Sequence, residues 1–347
     1  MNQDCSELLI LPPFNNLHAQ VIDRTHGSPE IVTSGISMHF VIPTNTRSAD
    51  KTNFWTYANA LLGVNLAPNV GLTGHGLSGP MTRTPGGNDY SVTGIPITPI
   101  EDNGRENPYP LATITAKKNG VTMGTTQVVV PVSWEISCHL CHNTPNVSTA
   151  TDILRAHDRL HGTQLELNKP VLCAGCHADP ALGAPGQPGV SNFSSAMHTS
   201  HAPRMAMAGL KNECYACHPG VRTLCQRDVH LSRGMSCVDC HDSMLAVGSP
   251  TRRPWLDEPL CADCHQAEHP TWEFEEPGKL YKESRGHRGI MCAACHGSPH
   301  AVTPTITAAD NLQAMVAQGH PGRIDTCTVC HSEVPSDPFP HRLTDDD

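Results

Sequence analysis

The five-residue pattern Cys-x-x-Cys-His occurs seven times between residues 138 and 331, and it constrains this chain more than any other feature. At each copy, the fold must accommodate two thiols and one imidazole close together. The cysteine pairs are Cys138 and Cys141, Cys173 and Cys176, Cys214 and Cys217, Cys237 and Cys240, Cys261 and Cys264, Cys292 and Cys295, and Cys327 and Cys330. The histidines that follow them are His142, His177, His218, His241, His265, His296 and His331.

This pattern is typical of a c-type haem attachment site. Two cysteines three positions apart can form thioether bonds with the two vinyl groups of one porphyrin. The adjacent histidine can then bind the iron, and the axial ligands set the haem's potential and reactivity. We therefore predict seven covalently bound haem c groups, with the motif cysteines as their attachments and the motif histidines as proximal iron ligands.

Two other uses of paired cysteines explain the pattern less well. Zinc ribbons combine two Cys-x-x-Cys units in one tetrahedral site, which requires an even number of units and no histidine after each one. A disulfide framework is common in cysteine-rich secreted chains, but it gives the seven motif histidines no role. Both alternatives are therefore less favoured than haem.

The composition supports a chain folded around cofactors. Aromatic residues make up only 4% of the 347 residues, whereas there are 28 Gly and 30 Pro. Porphyrin rings can supply the missing apolar bulk, and Gly and Pro favour loops and turns. The formal net charge of −10 is unlike that of a nucleic-acid-binding protein.

The location is inferred from the cofactor and from the apolar patterning. No run of 18 apolar residues is present, so we expect no transmembrane helix. The N-terminal sequence lacks the basic and apolar regions of a signal peptide. Because c-type haems are attached outside the cytoplasmic membrane, we expect an extracytoplasmic protein in a mature form. It would be extracellular or at the cell surface, with the periplasm as the alternative.

The chain divides into two parts of different character. Residues 1–133 contain no motif but several strand-like runs, and Asn119-Gly120 between two β-rich runs predicts a hairpin. We expect this part to be a β-sandwich-like domain in which residues 65–110 are mostly irregular. Residues 134–347 should form a mostly irregular, multihaem c-type cytochrome domain with short helices, of which 150–162 and 308–318 are the clearest.

The second axial ligand of each iron decides between an electron carrier and an enzyme. The chain has 22 histidines, and eleven in the second part are not the final histidine of a motif. We predict bis-histidine ligation, with distal ligands drawn first from His157, His198, His201, His230, His287, His300 and His320. The reserve candidates are His139, His161, His269 and His341.

Several other residues have side chains that could bind iron or react. The histidines of the first part, which are His18, His26, His39 and His75, are expected to be ordinary residues. The thioether ligands Met205, Met207 and Met235 are less favoured, given the surplus of histidine. Cys5 and Cys225 lie outside the motifs and could form a disulfide, bind a neighbouring group or be buried thiols, and the last is preferred slightly.

Several longer segments, in addition to the motifs, resemble those of a known protein family. They include Cys214-Tyr-Ala-Cys-His-Pro-Gly, Arg253-Pro-Trp-Leu-Asp-Glu-Pro, residues 286–300, Lys51-Thr-Asn-Phe-Trp-Thr-Tyr and Gly94-Ile-Pro-Ile-Thr-Pro. With them the chain resembles the multihaem c-type cytochromes of bacteria that respire on minerals or exchange electrons with the outside. That group includes extracellular cytochromes that polymerise into conductive filaments, in which haems of successive subunits form one stack.

The leading functional hypothesis is long-range electron transfer through seven haems by a non-enzymatic carrier. Its partners would be redox proteins or extracellular acceptors such as metal oxides, with self-polymerisation through haem–haem contacts as a further role. The alternative is a multihaem reductase of nitrite, hydroxylamine or a sulfur oxyanion with one open iron. Some such enzymes use Cys-x-x-Cys-Lys, which does not occur here.

Overall fold

The structure is a computed structural model that describes residues 1–25 and 28–341, so His26 lies outside the described residues. Most strands lie in the first part of the chain. They are β1 (Leu8–Leu9), β2 (Asn16–Ala19), β3 (Ile22–Asp23), β4 (Glu30–Ile31), β5 (Ser37–Val41), β6 (Ser78–Arg83), β7 (Tyr90–Thr93), β8 (Leu111–Lys118), β9 (Val121–Val129), β10 (Val171–Leu172), β11 (Arg285–Gly286) and β12 (Ile290–Met291).

Six of these strands form one antiparallel sheet in the order β2-β7-β6-β5-β8-β9. Its longest pairing is the β8–β9 hairpin, where Asn119 (φ 52°) and Gly120 (φ 82°) both adopt the left-handed conformation. Two such residues in a two-residue turn match the twist of the flanking strands. The hairpin predicted from Asn119-Gly120 is confirmed.

The core of the first part lies on one face of this sheet. In β8 the residues Ala112, Ile114 and Ala116 are buried at every second position, as the period of a strand requires. They pack in one cluster with Phe40 and Ile95, neither of which is exposed to solvent. The β-sandwich arrangement stays a prediction. Residues 65–110 are mostly irregular, as expected, apart from β6 and β7.

A smaller core joins the two parts of the chain. Helix α1 (Phe54–Leu62) packs Phe54 and Ala58 against Cys5 and Leu9. Strand β1 then pairs in parallel with β10, with Leu8 opposite Val171. Residues 1–133 therefore contact the second part through this strand pair.

The second part consists of short helical segments separated by loops. The α-helices are α2 (Thr149–His161), α3 (Phe193–Ala208), α4 (Val229–Ser232), α5 (Cys237–His241), α6 (Met244–Val247), α7 (Cys261–His265), α8 (Cys292–His296) and α9 (Ala308–Gln318). The 3-10 turns are Cys138–Leu140, Leu165–Leu167, Cys173–Gly175, Glu213–Ala216, Tyr281–Glu283 and Cys327–Val329.

The two helices predicted from sequence are confirmed. The Ser148 side chain accepts a hydrogen bond from the Thr151 N–H at the start of α2, and Gly162 ends the helix in the left-handed conformation. Helix α9 likewise ends at Gly319. The longest helix, α3, was not predicted, and it contains Pro203. Across the described ranges, no helix combines the length and apolar character that crossing a membrane requires.

Candidate functional site

Each of the seven motifs folds into a single helical turn. Motifs at residues 237, 261 and 292 form single α-helical turns, and the other four form 3-10 turns. Even in the 3-10 turns the histidine N–H reaches the carbonyl of the first cysteine, at 2.9 Å for His142 and 2.8 Å for His218. Residues three and four apart in such a turn lie on one face. The turn therefore presents both thiols and the imidazole together.

Six motif histidines each face a second histidine from elsewhere in the chain. The ring-centre separations are 6.3 Å for His157 and His177, 6.0 Å for His198 and His218, 6.4 Å for His230 and His265, 6.0 Å for His241 and His300, 6.0 Å for His287 and His331, and 5.7 Å for His296 and His341. No two of these pairs share a histidine.

The remaining motif histidine, His142 of the first motif, lies near His201. Burial lowers the pKa of His142, and the nearby His201 and Arg204 lower it further. His201 and His198 lie three apart on α3 and so project from the same face of the helix. Helix α3 thus serves two motifs, with His198 opposite His218 and His201 beside His142.

These separations fit an iron between the two rings. Metal–imidazole bonds are about 2 Å long, and the ring nitrogen lies about 1 Å from the ring centre, so opposed ligands place their ring centres about 6 Å apart. Direct aromatic contact spans a similar range, but it gives no reason why each partner is a motif histidine. The described residues hold no cluster of three or more His, Cys, Asp or Glu side chains arranged around a metal.

The Nδ1 atoms of the opposed histidines are held by protein groups. Nδ1 lies 2.9 Å from Thr163 Oγ1 in His157, 2.8 Å from Ser194 O in His198, 2.8 Å from Met197 O in His201, 2.9 Å from Asp228 Oδ2 in His230, and 3.2 Å from Glu273 O in His341. A metal-bound histidine ordinarily donates its other N–H in this way. These contacts orient the rings so that Nε2 is the nitrogen available to a metal.

Burial also keeps several of these rings in the neutral form. It is the largest influence that lowers the pKa of His157, His198, His218, His296, His300 and His341. Only the neutral imidazole binds a metal. The electrostatics of the site therefore suit metal ligation.

We number the sites 1 to 7 by the order of their motifs along the chain. A site comprises the two motif cysteines, the motif histidine and the histidine beside it. Thiols of different sites lie near one another, because in each of the following pairs the second thiol raises the pKa of the first, in addition to burial. The neighbouring pairs are Cys138 with Cys217, Cys214 with Cys237, Cys240 with Cys264, Cys261 with Cys292, and Cys295 with Cys330.

Backbone contacts support two of these neighbours independently. The Ser137 N–H donates to Ala216 O at 3.0 Å, which joins sites 1 and 3. The Ile324 N–H donates to Cys295 O at 3.0 Å, which joins site 6 to the segment that leads into site 7. Site 2 adjoins site 1, because α2 carries His157 of site 2 as well as Asp152, whose charge acts on His142.

A cavity of about 1010 Å³ lies between the segments that carry motifs 1 and 3. Apolar and aromatic side chains contribute to its lining, among them Trp134, Ile136, Leu140 and Tyr215. Charged side chains, including Glu135, Lys211 and Arg222, complete the lining.

One member of the first-choice distal set lies away from the motif histidines. His320 Nε2 lies 3.6 Å from Asp325 Oδ1, and its Nδ1 lies 3.2 Å from Pro321 O. The reserve candidate His341 faces His296 instead, and it stacks against Trp272 at 5.5 Å. The geometry therefore places His341 in the set where the sequence placed His320.

The remaining candidates have other surroundings. His161 lies 4.7 Å from His157, His269 stacks on Trp272 at 3.6 Å, and the exposed His139 lines the cavity. In the first part, His18 Nδ1 lies 2.9 Å from Asp89, His39 is exposed on β5, and His75 is half-buried in a loop. Among the methionines, Met205 is buried and Met207 is 80% exposed.

The two cysteines outside the motifs are both free thiols in separate places. Cys5 is buried in the core of α1, and burial raises its pKa to about 12. Cys225 lies beside site 4, with Sγ 3.9 Å from His300 Nδ1. Burial raises its pKa as well. The structure agrees with free thiols, of which Cys5 is buried and Cys225 is half-buried, rather than with a Cys5–Cys225 disulfide.

Comparisons of the chain with protein-family models, with curated proteins and with solved structures find no match.

Proposed function

We propose that this protein transfers electrons along a row of seven c-type haems that are each held by two histidines. One observation carries the proposal: each of the seven motif histidines has a second histidine beside it, and six of these pairs have ring centres 5.7–6.4 Å apart. A disulfide framework would not require this matching, and zinc sites would require clusters of four ligands.

A haem c bound at such a site would supply a one-electron iron centre. The two motif cysteines would attach it, and the motif histidine and its partner histidine would bind its iron. The Nδ1 acceptors hold these histidines in place. Burial of the ligands excludes water and tunes the potential.

The neighbouring thiols suggest the spatial order of the sites, which is 2-1-3-4-5-6-7. In each of the motifs of sites 3 to 6, one cysteine lies near the preceding site in this order and the other lies near the next. The distal ligands reinforce it. His230 precedes motif 4 but faces site 5, and His287 precedes motif 6 but faces site 7. Sites 2 and 7 are then the ends at which electrons enter and leave.

The pairing favours a carrier over a reductase, because a reductase needs an iron with an open position. We further propose an extracytoplasmic location, extracellular or at the cell surface, since thioether attachment of haem takes place outside the cytoplasmic membrane. Redox proteins or extracellular acceptors such as metal oxides would be the partners. Assembly into filaments through haem–haem contacts remains part of the proposal on the strength of the family resemblance.

Electron paramagnetic resonance and optical spectra of the purified, haem-loaded protein test this proposal. The expected result is low-spin iron at all seven haems, with no high-spin signal in stoichiometric amount. A stoichiometric high-spin haem that turns over nitrite or hydroxylamine faster than free haem would favour the reductase. Electron micrographs of the same preparation test assembly: long unbranched fibres support it, and a strictly monomeric species at high concentration contradicts it.

A further inference from the structure

The distal histidine of site 5 has an acceptor of a different kind from the others. Nδ1 of His230 lies 2.9 Å from the carboxylate oxygen Asp228 Oδ2. The corresponding acceptors for His157, His198, His201 and His341 are a hydroxyl group or backbone carbonyls. Among these five histidines, only His230 of site 5 donates to a formally charged group.

Asp228 is held firmly in place by the helix that it begins. Its Oδ1 accepts a hydrogen bond of 3.0 Å from the Leu231 N–H and so caps the N-terminus of α4. The Asp228 side chain is only 7% exposed. The neighbouring guanidinium of Arg227 does not offset its charge, because Arg227 binds Asp310 through two hydrogen bonds of 2.6 and 2.8 Å.

A second carboxylate touches a ligand histidine, but more weakly. Glu258 Oε2 lies 3.5 Å from His241 Nδ1 at site 4. The Glu258 side chain is 39% exposed, and it binds Arg252 at 2.6 Å, which offsets its charge. Distance, solvent and the arginine all reduce its effect relative to that of Asp228.

We propose that Asp228 is a positioning residue that lowers the reduction potential of site 5. This inference rests on the proposed function. A carboxylate that accepts the Nδ1 proton increases the basicity of the imidazole. A more basic axial ligand stabilises the ferric iron over the ferrous iron, which lowers the potential. Reduction adds one electron to the iron and breaks no bond.

Site 5 lies inside the row, between sites 4 and 6, so this low potential falls between the two ends. Electrons that cross the molecule must then pass an uphill step near its middle. The charge of Asp228 also reaches the neighbouring site 4, since it acts on Cys240 and His300. This uphill step would slow electron transfer from donors whose potential lies well above that of site 5.

The test is a spectroelectrochemical titration of the full, haem-loaded protein and of Asp228→Asn. Asparagine caps a helix as well as aspartate, so α4 is retained. One of the seven midpoints should rise, corresponding to about a tenfold shift in the oxidised-to-reduced ratio, which is about 59 mV for one electron. The paramagnetically shifted NMR signals of one haem should change with it. Asp228→Ser keeps a capping hydroxyl and should shift the midpoint in the same direction.

Asp50→Asn is the matched control, because it neutralises an exposed carboxylate that pairs with Arg47 in the first part of the chain, and it should leave every midpoint unchanged. The inference is overturned if no midpoint rises in either Asp228 variant, or if Asp50→Asn raises one equally. Seven low-spin haems without a shift would overturn this inference alone. A protein without haem would overturn the proposed function as well.

Discussion

At the scale of single residues, the sequence predicts most of the histidine pairs but not all of them. Their surplus next to seven motifs predicts bis-histidine sites, and six of the seven first-choice distal residues lie beside a motif histidine. The choice between His320 and His341 depends on Glu273, whose N–H donates to His341 O and whose carbonyl lies by His341 Nδ1. No sequence spacing reports a contact across 68 residues.

Replacing His341 by alanine should create one haem with an open axial position. His341 faces His296 at 5.7 Å, so its loss removes the ligand opposite the site 6 histidine. One of the seven haems should then show a high-spin optical and resonance signal. His320→Ala is the matched control and should keep all haems low-spin. A high-spin haem in His320→Ala, and none in His341→Ala, would reverse the assignment.

The two thiols outside the motifs should be free but protected. Because only the thiolate reacts and burial raises the pKa of Cys5 and Cys225, the native protein should react slowly with iodoacetamide. After unfolding without reductant, mass spectrometry should find two labels per chain. The absence of labels in the unfolded chain would instead reveal a Cys5–Cys225 disulfide.

At the scale of elements, the sequence predicts the turns and helices whose ends are set by a few neighbouring residues. Asn119-Gly120 specifies its turn, and Ser148 and Gly162 bound α2, so these elements were predicted correctly. Helix α3 was missed because Pro203 within it removes a backbone donor and reads as a helix breaker. Strand β6 was missed because Gly79 and Pro80 weaken its pattern; its pairing with β5 and β7 compensates.

The hairpin turn provides a stability prediction for one element. Gly120 has φ 82°, a conformation that strains any residue with a side chain. Gly120→Ala should lower the free energy of unfolding by about 1 kcal/mol. The control is Gly124→Ala in β9, where φ is not in this region and a Cβ would meet nothing within 4 Å. Calorimetry should show a loss in the first variant only, and equal losses would contradict the turn geometry.

At the scale of the whole molecule, the two parts of the chain meet around one buried carboxylate. Asp89 is fully buried and accepts a hydrogen bond of 2.7 Å from Arg285, which lies just before motif 6. Asn88 donates at 2.9 Å to the carbonyl of Gly289 nearby. Elsewhere, the Tyr109 hydroxyl donates to the carbonyls of Thr223 and Leu224. Sequence patterns show none of these contacts, since they join residues more than 100 positions apart.

Asp89→Asn should therefore destabilise the whole molecule. Although burial opposes it, hydrogen bonds from His18 and Thr84 and the charge of Arg285 lower the pKa of Asp89 below 3.8. The loss at neutral pH should be about 2 kcal/mol, as for a hydrogen bond to a charged group. Because the folded-state pKa is depressed, the difference from wild type is complete above pH 3.8 and shrinks as the pH falls further.

The matched control is Asp50→Asn, which breaks an exposed pair with Arg47. It should change the free energy of unfolding by less than about 0.5 kcal/mol at any pH. Denaturant unfolding followed at the haem band and by far-ultraviolet circular dichroism should give one transition for wild type. A similar loss in both variants would show that Asp89 does not join the two parts.

The most direct test of the central claim is the intact mass of the purified protein under denaturing conditions. Covalent attachment at all seven motifs predicts the mass of the polypeptide plus seven haems, retained after acid and organic solvent. A mass equal to that of the polypeptide alone, or to one carrying fewer than seven haems, would contradict it.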